Sequence, residues 1–125
     1  MPWMKNSTAL RRVAGFVTLA VMGLIAVLSL LPPSDLPPVE GSDKLKHFIA
    51  YTALAMPMAV WTGRGRALLA LLLAAGFGLA VEVAQLLVPT GREFSLLDEG
   101  ANILGAGLGT LAVLILRHRG LFGRD

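Results

Sequence analysis

The sequence predicts an all-α polytopic membrane protein, a four-transmembrane-helix bundle with both termini on the inner side (N-in/C-in). Hydrophobic residues make up 55% of the 125-residue chain and charged ones only 15%. The apolar residues gather into four long segments, and most basic residues stand at one set of segment ends. A soluble domain of this size needs far more polar surface. A chain this short is one domain, spanning residues 1–125.

Segment 13–31, VAGFVTLAVMGLIAVLSLL, is nineteen residues without a charge. Segment 67–88 is interrupted only by Glu82 and Gln85. Segments 45–61 and 96–116 reach spanning length only if their polar starts are included, because a crossing helix takes about 20 residues at 1.5 Å each. The first segment follows Arg11 and Arg12, as a signal peptide would. It exceeds a usual apolar core and lacks a small-x-small cleavage site, so an uncleaved helix is expected. Prolines 32, 33, 37 and 38 predict an extended linker after it.

The net charge of +3 does not point to nucleic acid. The arginines cap apolar segments instead of interleaving with aromatics. The chain has no cysteine, which excludes disulfides, thiol nucleophiles and thiolate metal sites. With the N-terminus inside and four crossings, eight of the eleven basic residues lie inside, with Asp125 the single acid there. Lys44, Lys46 and Arg92 lie outside with the other seven acids. The positive-inside rule thus sets the orientation, with Trp3 and Trp61 at the inner interface. The basic C-terminal RHRGLFGRD is read as a topology anchor, or as a contact for anionic lipid.

The unusual residues then fall on one side. Asp43, Lys44, His47 and Tyr51 open the second helix, with Lys44, His47 and Tyr51 on one face at i, i+3 and i+7. Glu82 and Gln85, at i and i+3, approach the same level from the third. Arg92 lies in the loop before the fourth helix, whose inward stripe is Asp98, Asn102, Gly105 and Gly109. The two glycines are a small-xxx-small pair that lets another helix approach closely. Ser42 and Ser95 suit helix N-caps, with Asp43, Asp98 and Glu99 favourable in first turns. Glu82 is expected about 9 Å below the end of its helix. An ionisable group at such depth faces a partner or water and marks a functional site by default.

The stretches SDKLKHFIAYTALA, VEVAQLL and REFSLLDEGANILGAGLG together resemble the VanZ-like family of small bacterial membrane proteins. The matching pattern is D-K-x-x-H-F-x-x-Y, then E-x-x-Q, then R-x-x-S-x-x-D-x-x-x-N-x-x-G-x-x-x-G. It falls here on Asp43, Lys44, His47, Phe48, Tyr51, Glu82, Gln85, Arg92, Ser95, Asp98, Asn102, Gly105 and Gly109, and covers roughly residues 42–110. The family takes its name from a protein associated with resistance to teicoplanin, which binds cell-wall precursors outside the membrane. The resemblance implies a role in the cell envelope of a bacterium, at the plasma membrane, and brings no settled activity with it.

Three functions fit these residues. The first is binding, with Lys44 and Arg92 as anion contacts and Glu82 with Asp98 as acceptors. Its ligand would be a membrane lipid head group, a lipid-linked cell-wall precursor or a glycopeptide antibiotic. The second is an intramembrane enzyme acting on a lipid phosphate or precursor, with His47 as general base and Glu82 orienting it. It lacks an obvious nucleophile, since Ser95 has a better role as a cap. The third is a structural bundle in which Gln85, Asn102 and their neighbours are interhelical glue, each hydrogen bond worth about 0.6–2 kcal/mol. No cofactor is expected, and no metal, because this face offers one imidazole.

Overall fold

The computed structural model describes residues 7–36, 42–89 and 95–122. Four helices account for almost all of them: α1 (Ser7–Leu30), α2 (Asp43–Thr62), α3 (Ala67–Leu87) and α4 (Leu96–His118). There is no strand among the described residues. The helices alternate in direction. At one end the C-terminal turns of α1 and α3 meet, where Gln85 Nε2 donates to Ser29 O at 2.8 Å. The N-terminal turns of α2 and α4 meet at that same end, through His47 and Asn102. At the opposite end Arg11 of α1 and Arg117 of α4 donate to carbonyls in the last turn of α2.

Helix α1 starts six residues before the apolar segment. Its first turns, STALRR, contain good helix formers. Arg11 Nε also anchors them by donating to Trp61 O at 3.0 Å. Gly15 provides the room: a Cβ there would stand 2.9 Å from the Trp61 indole nitrogen. The linker after α1 is not extended throughout. Pro33–Asp35 forms a 3-10 turn, which the fixed proline φ favours. The remaining prolines of the expected linker, 37 and 38, lie outside the described residues, as does Trp3.

Three helices, rather than the four expected, are long and apolar enough to cross a membrane: Thr8–Leu30, Ala67–Leu87 and Leu96–His118. Helix α2 falls short because Asp43, Lys44, Lys46 and His47 crowd its start. Its environment accounts for that composition. It packs against each of the other three helices and buries Tyr51, Leu54, Ala55, Met58, Ala59 and Val60. Its charges sit in the first turn, where Asp43, Lys44 and Lys46 are exposed at one end of the bundle, and its buried residues follow from Tyr51 on. Large apolar side chains face outward instead on the surrounding helices, such as Phe16, Leu72, Leu87 and Leu104.

The most intimate contact joins α2 to α4. A Cβ on Gly105 would overlap the Phe48 carbonyl oxygen, and one on Gly109 would stand 2.5 Å from Thr52 O. The two backbones therefore touch, as the small-xxx-small spacing predicts. Thr52 Oγ1 lies between them, 2.8 Å from Phe48 O and 3.1 Å from Gly105 O. Pro57 removes one backbone bond within α2 without ending the helix.

Both expected caps form. Ser42 Oγ accepts from Leu45 N at 3.1 Å, and Ser95 Oγ accepts from Asp98 N at 3.2 Å. Ser95→Ala is expected to lower the stability of the detergent-solubilised protein by about 1 kcal/mol. Chemical unfolding followed by circular dichroism measures the loss.

Candidate functional site

Because the helices alternate, the start of α2, the end of α3 and the start of α4 share one end of the bundle. Their ionisable residues meet there. Lys44 Nζ lies 2.9 Å from Asp98 Oδ1. On the same carboxylate, Oδ2 lies 3.5 Å from His47 Nε2. The other imidazole nitrogen, Nδ1, is 2.8 Å from Asn102 Oδ1. An amide oxygen only accepts, so Nδ1 carries a proton and donates. In a neutral imidazole Nε2 is then the lone-pair nitrogen, and it faces Asp98.

Glu82 comes to the same place from α3. Its side chain is fully buried, and Oε2 accepts from Ser95 N at 3.2 Å. The second oxygen, Oε1, has no hydrogen-bond partner among the described residues. Ligand atoms of His47, Glu82 and Asp98 all lie within 4.8 Å of one another. The carboxylate therefore points into the bundle beside His47, not toward lipid. His47 takes its recorded polar contacts from Asn102 and Asp98, so these two groups orient the ring where sequence reasoning had assigned Glu82.

The remaining expected residues divide. Tyr51 is buried one turn below His47, its ring 6.4 Å from that of Phe77. The absent side chain of Gly78 makes the space: a Cβ there would stand 3.0 Å from the Tyr51 ring and 2.8 Å from Asn102 Nδ2. Gln85 is buried but bonds Ser29 of α1, so it ties α1 to α3 and stands apart from the cluster. Asp43 is exposed and faces Lys46 at 3.9 Å. Arg92 lies outside the described residues.

Glu99 belongs to the buried polar layer, and sequence reasoning had given it only a helix-dipole role. It is 9% exposed. Neither carboxylate oxygen has a hydrogen-bond partner among the described residues. A Cβ on Gly78 would stand 3.1 Å from its Oε1. The signal was available: Glu99, Asn102, Ala106, Thr110, Val113 and Arg117 recur every three or four residues and form one buried stripe. The stripe drawn through Asp98 is its immediate neighbour.

Around His47 the described groups are predominantly acidic. Glu82 and Asp98 gather beside His47, Asp98 engages the Lys44 ammonium, and Glu99 lies against Gly78. The cluster can accept hydrogen bonds and donate from Lys44. It can also accept a proton at His47 Nε2. A family model described as VanZ/LLP1 matches residues 2–117. Comparisons with curated proteins and with solved structures yield no match.

Proposed function

The chain belongs to the VanZ-like family, and on that premise we propose that this cell-envelope protein binds a polar head group at the clustered end of its bundle. The ligand is a membrane lipid or a lipid-linked cell-wall precursor, and the membrane is the bacterial plasma membrane. One observation carries the reading. Lys44, Asp98, His47 and Glu82 come from three helices to one end of an otherwise apolar bundle. Interhelical glue needs polar groups but does not need ionisable ones.

Charge supports an orientation for this site. Arg11, Arg12, Arg64, Arg66, Arg117 and Arg119 gather at the opposite end from Lys44, Asp98 and Glu82. By the positive-inside rule the arginine end is cytoplasmic and the cluster faces outward. Helix α2 crosses within the sheath of the other three, giving four passes with N-in/C-in topology. In this arrangement Lys44, half-exposed, meets the phosphate as a point charge. Asp98 and His47 take hydroxyl or amine groups beneath it. A teicoplanin-resistance role would follow if the bound group is the precursor that the antibiotic targets.

Native mass spectrometry of gently extracted protein tests the reading. The expected result is one phospholipid or lipid-linked precursor retained per chain and lost in Lys44→Glu. Retention equal in both proteins, or none in either, overturns it. A second reading has its own observation. His47 stands between Asn102 and Asp98 in the arrangement of a general base with an orienting partner. Release of phosphate or pyrophosphate from a lipid-phosphate panel by the purified protein, absent in His47→Gln, would favour an enzyme over a binding protein.

A further inference from the structure

We propose that His47, Glu82 and Asp98 hold a divalent first-row transition cation, of the zinc type, at the polar end of the bundle. The inference stands apart from head-group binding: the site needs no lipid, and a lipid site needs no metal.

Three side chains converge, and each keeps a lone pair with no hydrogen-bond donor among the described residues. Asn102 fixes the Nδ1–H tautomer of His47 and leaves Nε2 as the ligand atom. Metal-binding histidines are held in this way, with the second nitrogen donating to a carbonyl or carboxylate. Lys44 occupies Asp98 Oδ1, so Oδ2 remains free and faces Nε2 at 3.5 Å. Ser95 N occupies Glu82 Oε2 and leaves Oε1 without a partner among the described residues, on a side chain with no solvent exposure. Each ligand thus has one atom anchored by a neighbour and one atom free.

The spacing suits an ion. Ligand atoms about 2.1 Å from a metal stand roughly 3.4 Å apart in a tetrahedron and up to about 4.2 Å across an octahedron. One ligand atom from each residue lies within 4.8 Å of the others, so closing the site takes an adjustment of up to about 1.4 Å for a tetrahedron.

Charge argues the same way. Asp98 and Glu82, whose Oε1 has no partner among the described residues, face His47 from two other helices, and a divalent ion bound there would take up their negative charge. One imidazole among carboxylates suits zinc, manganese or iron better than magnesium or calcium. The route inward passes Lys44, whose side chain is half-exposed, while His47 and Asp98 retain 15% exposure. The scarcity of imidazoles argued against a metal at the level of sequence; the meeting of three elements at one point reopens the question.

The experiment titrates detergent-purified protein, stripped with chelator, with Co²⁺ as a spectroscopic probe and Zn²⁺ as competitor. The expected result is one Co²⁺ per chain with visible d–d absorption, displaced by Zn²⁺ and not by an equal excess of Mg²⁺. His47→Gln and Glu82→Gln should each weaken binding at least about 100-fold. Asn102→Ala, which touches no ligand lone pair, should weaken it about 10- to 100-fold. Each variant is carried forward only if its apo form elutes as wild type does and melts cooperatively. Asp98→Asn replaces any that fails. No Co²⁺ spectrum, or binding equal to wild type in two folded ligand variants, overturns the proposal. Loss of metal with lipid retention intact leaves the head-group reading standing, and the converse result separates them the other way.

Discussion

Gly105→Leu is expected to prevent the bundle from assembling, the largest stability effect of any single substitution considered. A Cβ at this position already overlaps the Phe48 carbonyl oxygen and stands 3.1 Å from Thr52 N. Both are backbone atoms of α2 and cannot rotate aside. Overpacking a core with extra methylenes costs about 1–3 kcal/mol when side chains can give way. Here a whole helix must retreat, so more than about 3 kcal/mol is expected, and Gly105→Ala should lose most of that. Gly107 is the control. It lies in the same helix with nothing within 4 Å of its Cβ position. Gly107→Ala should be neutral or more stable by up to about 1 kcal/mol, through helix propensity. Thermal unfolding in detergent and the yield of monodisperse protein separate the three variants. A Gly105→Leu protein that melts as wild type does would mean that α2 and α4 do not meet along this seam.

Glu82→Gln is expected to separate stability from function by moving them in opposite directions. The carboxylate is fully buried, and its Oε1 lacks a partner among the described residues. Burying an ion carries a desolvation penalty of several kcal/mol unless its surroundings compensate. Glutamine keeps the shape and can still accept from Ser95 N. The apo protein should therefore gain about 1–3 kcal/mol, while cation binding falls at least about 100-fold. If Glu82 only held helices together, the substitution would lower stability or leave it unchanged. Unfolding curves of both proteins, with and without Zn²⁺, decide between these outcomes. Only wild type should be stabilised by the ion, in proportion to its binding.

How much of this was legible in the sequence depended on which physical signal each feature leaves. Helices α1, α3 and α4 are announced by long, mostly apolar segments, and the α2–α4 seam by the spacing of Gly105 and Gly109. The meeting of Lys44, His47, Glu82, Asp98 and Asn102 followed from periodicity together with alternating helix direction. Three things were hidden. Helix α2 reads as a poor span because its first turn carries the exposed Asp43, Lys44 and Lys46, while the contacts that enclose its remainder come from other helices. Glu99 is legible only in the longer stripe it shares with Asn102, Ala106 and Arg117, and its neighbour Asp98, at 15% exposure, turns inward as well. Gln85 shares a face with Glu82 by spacing, yet it reaches back to Ser29 on α1. No local pattern records that choice.

The seam between α2 and α4 also divides the molecule mechanically. Two helices in backbone contact along Gly105 and Gly109 move as one strut, clasped at the far end by Arg117 on Ala59 O. His47 and Asp98 ride on that strut. Glu82 belongs to α3, which touches the strut through side chains and the Ser95 amide. The cluster therefore straddles a joint, with two ligands on the rigid member and one on the neighbouring stave. An occupant held by all three residues would tie α3 to the α2–α4 pair at that end.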